Sequence, residues 1–105
     1  MSFHVATLIS AATGTGAGDT AVVDPMRLAH GPIPIQVTGT FVGTVTLEAS
    51  VSTQREIDEG TAVWSPINGG EWTEPICDAL ACAYPFMRAN VTAFTSGTIT
   101  LRMLL

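Results

Sequence analysis

The feature that most constrains this chain is a two-residue alternation of apolar and polar side chains. Between Gly43 and Ser52 one side carries Val45, Leu47, Ala49 and Val51, and the other carries threonine, serine and Glu48. This pattern predicts a strand buried on one face. It returns over Met87–Ala93 and again over Thr98–Met103. No segment has a sustained period of 3.6 residues, so a helical or α/β fold is disfavoured.

Turn residues divide the rest of the chain into further short strands. We expect strands at 3–10, 21–28, 33–42, with Gly39 as a bulge or a bend, and 62–66, before the turn signal Asn68-Gly69-Gly70. Gly97 predicts a hairpin between the last two strands. Residues 13–19, 53–60 and 71–85 are expected to be irregular, with one helical turn between Ile76 and Ala83.

Together these elements predict one all-β domain over residues 1–105. The expected architecture is an antiparallel β-sandwich or a jelly-roll-like barrel of about seven to eight strands. The N-terminal strand and the Gly-rich stretch within residues 1–20 are also compatible with an arm that contacts neighbouring molecules.

The charge content is low and acidic. Charged residues make up 12% of the 105-residue chain, with nine carboxylates against four arginines and no lysine. Nucleic-acid binding is disfavoured because clustered cations supply most of its affinity. No apolar run reaches the roughly 18 to 20 residues that span a bilayer. We expect a surface so poor in charge to be solvated in part by threonine, serine and glycine and covered in part by other subunits.

No motif in the chain predicts catalysis or a cofactor. Gly14, Gly16 and Gly18 lack the helix and Lys-Ser/Thr pair of a phosphate loop. His4 and His30 are isolated, no serine lies in a GxSxG elbow, and the acidic run at 56–59 does not match a calcium loop. We therefore expect no enzyme activity, no cofactor and no metal.

The cysteines and aromatic residues leave alternatives open. Cys77 and Cys82 fit neither a CxxC motif nor a zinc site, so free thiols are expected, with a local disulfide as the alternative. Trp64 is expected in the core. Trp72 is the better candidate for exposure, and with Tyr84 it offers either a subunit contact or a sugar-stacking face.

Two stretches carry a resemblance to a known family. These are GTFVGTVTLEASVS from Gly39 with Trp64-Ser-Pro-Ile, and YPFMRANVTAFTSGTITL from Tyr84. Over roughly residues 33–105 the chain resembles small β-sandwich structural proteins of tailed bacteriophage virions. It departs from their pattern at 52–60, where a charged segment replaces a short Asp-Gly turn.

The resemblance implies a non-enzymatic virion protein, assembled in the host cytoplasm. A capsid cement or decoration protein that stabilises neighbouring capsid subunits is the first expectation. Its partners would be the major capsid protein or other virion proteins, and copies of itself. A collar or tail-fibre component and a carbohydrate-binding module are the alternatives. The predicted interface residues are Leu101, Met103, Leu104, Leu105, Trp72 and Tyr84.

Overall fold

The structure is a computed structural model that describes residues 3–105. A 3₁₀-helix spans Pro25–His30 and a short α-helix, α1, spans Gln54–Glu59. The eight strands are β1 (Val5–Ala12), β2 (Gly16–Val22), β3 (Ile33–Thr38), β4 (Phe41–Ser50), β5 (Ser65–Trp72), β6 (Ile76–Leu80), β7 (Phe86–Gly97) and β8 (Ile99–Leu104).

The strands form two antiparallel four-stranded sheets that pack face to face. Sheet A has the order β1-β8-β3-β6, and sheet B has the order β2-β7-β4-β5. The chain passes from one sheet to the other between β1 and β2, between β3 and β4, between β5 and β6, and between β7 and β8. This is the jelly-roll arrangement of eight strands in two sheets. The prediction of an all-β antiparallel sandwich is confirmed, and the strand order of the sandwich is that of a jelly roll.

The predicted hairpin between the last two strands is wrong. β7 pairs with β2 and β4 in sheet B, whereas β8 pairs with β1 and β3 in sheet A. Only Thr98 separates the two strands, which is too short for a two-residue hairpin loop. Alternation fixes which face of a strand is buried but does not identify its hydrogen-bonded neighbours.

The two sharpest sheet-crossing corners lie side by side. The β3–β4 corner contains Gly39 at φ 112°, and the β7–β8 corner contains Gly97 at φ 93°. A β-carbon on Gly39 would lie 2.1 Å from the carbonyl oxygen of Thr98, and one on Gly97 would lie 1.9 Å from that of Thr40. Both corners therefore need glycine, and the bend expected at Gly39 is confirmed. This end of the sandwich is called the corner end.

Alternate residues of the central strands fill the space between the sheets. The core contributed by sheet A includes Ile33, Ile35, Val37, Ile99, Leu101 and Met103, and that of sheet B includes Val45, Leu47, Met87, Ala89 and Val91. The predicted buried face of β4 holds as far as Ala49. Val51 was expected on that face, but it lies beyond the strand and is largely exposed.

The expected strand at 21–28 and the expected loop at 53–60 are both corrected. β2 ends at Val22, after which Asp24 accepts a hydrogen bond from the backbone of Met26 and begins the 3₁₀-helix. In the charged segment, Thr53 and Glu56 cap α1 reciprocally. The Thr-x-x-Glu spacing of this capping box is a helix-start signal that the sequence contains.

One further expectation also fails. The predicted helical turn at 76–83 is replaced by β6, which keeps an unbroken register with β3 from Ile76 to Leu80. In the part that the structure describes, the N-terminal segment supplies β1 to sheet A and β2 to sheet B, and its contact with neighbouring molecules stays a prediction. Met1 and Ser2 lie outside the described residues.

Candidate binding surfaces

Most of the predicted interface lies in the core. Leu101 and Met103 point inward from β8, and Leu105 and Trp72 are also buried. The apolar C-terminal end predicts an interface. Its alternate residues Leu101 and Met103 instead form the inner face of β8, which is a central strand of sheet A. Burial within the chain removes these four side chains as contacts for a partner. Leu104 is partly exposed and Tyr84 is exposed, so both stay available.

Both tryptophans differ from their expected places. Trp64, which precedes β5, is partly exposed and stacks against Arg88, and a bulge within β5 turns Trp72 inward. Pro66 pairs with Glu48 and Glu71 pairs with Thr46, so five steps along β5 match two along β4. The three extra residues reverse the alternation and turn Trp72 inward opposite Val45. With Trp72 buried, the sugar-stacking pair of Trp72 and Tyr84 does not exist.

The outer face of sheet B is covered by the chain's own side chains. Arg88 Nε lies 2.8 Å from Glu48 Oε1, and Asn90 Nδ2 donates to Glu48 Oε2 at 3.3 Å. The Arg88 guanidinium also stacks 4.3 Å from the centre of the Trp64 ring. Thr46 and Ser50, on the same face, are buried. The polar groups of this network satisfy one another around Glu48, whereas Val22, on the edge strand β2 of the same sheet, is 65% exposed.

The outer face of sheet A has no such cover. Cross-strand pairing places two rows of side chains on it, a polar row of Thr7, Arg102, Gln36 and Cys77, and an apolar row of Val5, Leu104, Pro34 and Ala79. A groove of about 300 Å³ runs between them. Leu104, which lies between the buried residues Met103 and Leu105 and points outward, lines this groove.

Arg102 is the only charged side chain in the two rows. It is exposed, and within residues 3–105 it makes no hydrogen bond or ion pair. Arg88 and Arg102 therefore both point outward from their sheets, but Arg88 is paired with a carboxylate and Arg102 is not. The guanidinium of Arg102 is free to bind a carboxylate that comes from elsewhere.

Asp78 joins the free edges of the two sheets. Its carboxylate accepts from Trp72 Nε1 at 3.0 Å and from the backbone N–H of Ala79 at 2.8 Å. The indole N–H of Trp72, together with the Ala79 N–H, lowers the pKa of Asp78 below its ordinary value. Because β6 is an edge strand, a carboxylate that occupies one of its backbone donors also discourages edge-to-edge pairing.

Arg27 is a buried cation that holds the end of β8. Its guanidinium donates to the carbonyl oxygens of Leu104 at 3.2 Å, Gly31 at 3.0 Å and Pro32 at 3.4 Å. It also lies 5.2 Å from the centre of the Phe3 ring. These contacts fasten the 3₁₀-helix to sheet A, and we assign Arg27 a structural role.

A second groove lies at the opposite end from the corners and contains Tyr84. It has a volume of about 520 Å³, and we call it the Tyr84 groove. The residues that form it are uncharged, and the main ones are Val51, Val63, Pro66, Ile67, Asn68 and Tyr84. This end of the sandwich is called the open end.

The remaining sequence candidates are not brought together. Within residues 3–105, no three His, Cys, Asp or Glu side chains lie close enough to hold a metal ion. Two of the three glycines of the GxGxG stretch belong to β2, and His30 packs edge-on against Phe3. Cys77 and Cys82 are free thiols, as expected, and burial raises the pKa of the Cys82 thiol. No helix among these residues is long and apolar enough to cross a bilayer.

Comparisons of the chain with protein-family models, with curated proteins and with solved structures find no match. What the chain does is therefore inferred from its own surfaces.

Proposed function

We propose that this chain is a non-enzymatic structural protein of a tailed-bacteriophage virion, of the capsid cement or decoration type. The uncovered outer face of sheet A carries the proposal. A jelly roll covers its core with two sheets, and here one sheet is left with an apolar row and an unpaired cation on its outside. Such a face supports attachment to another protein surface.

The chemistry of this face constrains the partner. Covering an unpaired guanidinium costs several kcal/mol unless the partner supplies an anion. The partner surface must therefore present a carboxylate to Arg102 and aliphatic groups to the Val5–Leu104 row. A second copy that docks through the same two rows cannot do this, because the rows contain no carboxylate to pair with Arg102. A different protein, such as a capsid subunit, fits these requirements.

Two further features support a virion as the assembly. Jelly rolls recur in viral capsid proteins, although they also occur in lectins and cupins, so this is an analogy of fold. The stretch from Tyr84 to Leu101, which resembles phage structural proteins, supplies β7 and most of the buried side of β8. A collar or tail position remains the alternative, since the same face serves there equally well.

The test uses virions produced from the genome that encodes the chain, stripped of the endogenous protein. The tagged wild-type chain is expected to sediment with these particles, and a gold label to mark the capsid. Arg102→Glu should abolish binding. Arg55→Glu is the matched control: Arg55 is exposed on α1 and pairs only with Glu59, so binding should persist.

A wild-type chain that stays in the supernatant would overturn the proposed function. A label confined to the collar or tail would move the protein to that position. Equal binding of wild type and Arg102→Glu would overturn the assignment of the outer face of sheet A.

A further inference from the structure

The groove on the outer face of sheet A, called the sheet A groove, crosses all four strands of that sheet. Its lining residues come from β1, β8, β3 and β6, and its floor is the backbone of residues whose side chains point into the core, such as Ile35 and Met103. On each strand the residue of the polar row and the residue of the apolar row are two positions apart, as Arg102 and Leu104 are on β8. The two rows are therefore the walls of a straight groove.

The dimensions of the sheet A groove select the shape of its occupant. Two residues along a strand separate the rows by about 6.7 Å, and four neighbouring strands make the groove about 14 Å long. An α-helix is about 10–12 Å across with its side chains, so it is too wide to lie between the rows. An extended chain is narrow enough, and about four of its residues span the groove.

The two walls select the side chains of an extended segment. Successive side chains of such a segment point to opposite sides, so the neighbours of a residue that faces the polar row face the apolar row. A carboxylate toward the polar row meets Arg102, which has no ion pair within residues 3–105. The residues before and after it then lie against Val5 and Pro34, on either side of Leu104, which favours aliphatic side chains.

The polar row also offers partners to the backbone of the segment. Gln36 and Thr7 are exposed on either side of Arg102, and within residues 3–105 their side chains make no hydrogen bond. The amide of Gln36 carries both a donor and an acceptor, which match the carbonyl and the N–H of a peptide. On the outer face of sheet B the amide of Asn90 is instead already bound to Glu48.

The acidity of the chain limits the segment to one carboxylate. The net charge is −5, so a segment with several acidic residues is repelled. Asp78 also lines the groove, but its carboxylate is engaged by the N–H groups of Trp72 and Ala79. Among the lining residues that the structure describes, Arg102 is the one cation, and it pairs with one carboxylate.

We propose that the sheet A groove binds an extended segment of the partner protein, in which a single Asp or Glu has an aliphatic residue on each side. The inference rests on the proposed function for the identity of the partner. It deepens that function because it assigns the contact to a linear segment rather than to a helix or a folded surface.

Titration of the full chain with the peptide acetyl-Gly-Val-Glu-Val-Gly-amide, followed by NMR of the backbone amides of the chain, tests the proposal. The signals of Gln36, Arg102 and Leu104 should shift, whereas those of Glu48 and Arg88 on sheet B should not. A peptide with Gln in place of Glu should bind about tenfold more weakly, because it cannot form a charge-assisted pair. The isomer acetyl-Gly-Glu-Val-Val-Gly-amide should also bind more weakly, since only one valine then faces the apolar row.

Matched variants of the chain separate the groove from general charge effects. Arg102→Gln should weaken binding of the Glu peptide about tenfold and make the Glu and Gln peptides bind alike. Arg55→Gln removes an exposed arginine of α1 and should leave the affinity unchanged. Circular dichroism should give the same β-sheet spectrum for all variants.

The thiol of Cys77 gives a second readout. Cys77 is exposed and lines the sheet A groove, so bound peptide should slow its alkylation by iodoacetamide. Cys82, which is not among the lining residues, is the internal control, and its alkylation should not change.

The absence of any shift at about 10 mM peptide would overturn the proposal, because that concentration detects even millimolar affinity. Equal affinity of the wild type for the Glu and Gln peptides would also overturn it. If virions bound the wild type but not Arg102→Glu while no peptide bound, the proposed function would stand with a folded surface as the partner. If the Glu peptide bound through Arg102 while virions did not bind, the groove would keep its specificity and the virion function would fail.

Discussion

The outer faces of the two sheets are built from the same kind of strand and end in opposite states. On sheet B, Arg88 is paired with Glu48 and stacked on Trp64. On sheet A, Arg102 stands free in a row of uncharged neighbours. The residues between β4 and β5 supply the tryptophan that covers sheet B. No segment within residues 3–105 does the same for sheet A, so the guanidinium of Arg102 has no stacking partner within these residues.

The largest expected change in stability is for a residue on the inner side of sheet A, and it is compared with a residue on the outer side of the same strand. Leu101→Ala should lower the free energy of unfolding by about 2–5 kcal/mol, because it leaves a cavity in the core. Leu104→Ala, three residues further along the chain and on the outer face, should cost about 1 kcal/mol or less. Urea titration of both variants measures the difference. Equal losses would contradict the assignment of Leu104 to a free outer face.

This contrast also marks what could be predicted from the sequence. Alternation over β4, β7 and β8 gave the all-β class and the buried sets Val45–Leu47 and Ile99–Leu101–Met103. It could not give the sheet to which each strand belongs, so β7 and β8 were expected as a hairpin. Apolar composition predicts an interface at the Leu101–Leu105 end, but composition does not show on which face of the strand each residue lies.

The candidate surfaces depended on contacts that are distant in sequence. The bulge in β5 turns Trp72 inward, since three added residues change the parity of a strand, whereas Trp64 lies before this strand. The pairing of Arg88 with Glu48 joins residues 40 positions apart. Arg88 and Arg102 look alike in the sequence, because both alternate with apolar residues. Only the neighbouring strand shows which one has a partner.

The second prediction concerns the covered face. Arg88→Ala should lower the free energy of unfolding by about 1–3 kcal/mol, because it leaves the Glu48 carboxylate, whose side chain is only 14% exposed, without its cation. Arg55→Ala is the control on an exposed pair and should change stability by less than about 0.5 kcal/mol. Chemical denaturation compares the two. If Arg88→Ala left the free energy of unfolding unchanged, the pairing of Arg88 with Glu48 would not distinguish the outer face of sheet B from that of sheet A.

The third prediction tests the link between the sheet edges at Asp78. The pKa of this carboxyl is lowered below its ordinary value of 3.8, first by the Trp72 N–H and then by the Ala79 N–H. The stabilisation from Asp78 is therefore fully present above that ordinary value and is lost as the pH falls through the lowered pKa. Between about pH 5 and pH 2, wild type should lose more stability than Asp78→Asn.

Urea midpoints measured for both proteins across this range give the Asp78 contribution as a difference. Ala79→Gly, which keeps the backbone donor, should follow the wild-type pH dependence. Parallel curves for wild type and Asp78→Asn would show that the carboxylate is not held by Trp72 in the folded protein.

The smallest expected change in stability is the one that matters most for function. Arg102→Ala should alter the free energy of unfolding by less than about 0.5 kcal/mol, because this exposed side chain has no partner within residues 3–105. The same substitution should weaken sedimentation with virions. Arg88→Ala should give the opposite pattern, a loss of stability with virion binding retained at temperatures where it stays folded. If Arg102→Ala destabilised the chain as much as Arg88→Ala, the guanidinium would serve the fold, and the free face of sheet A would lose its only charged contact for a partner.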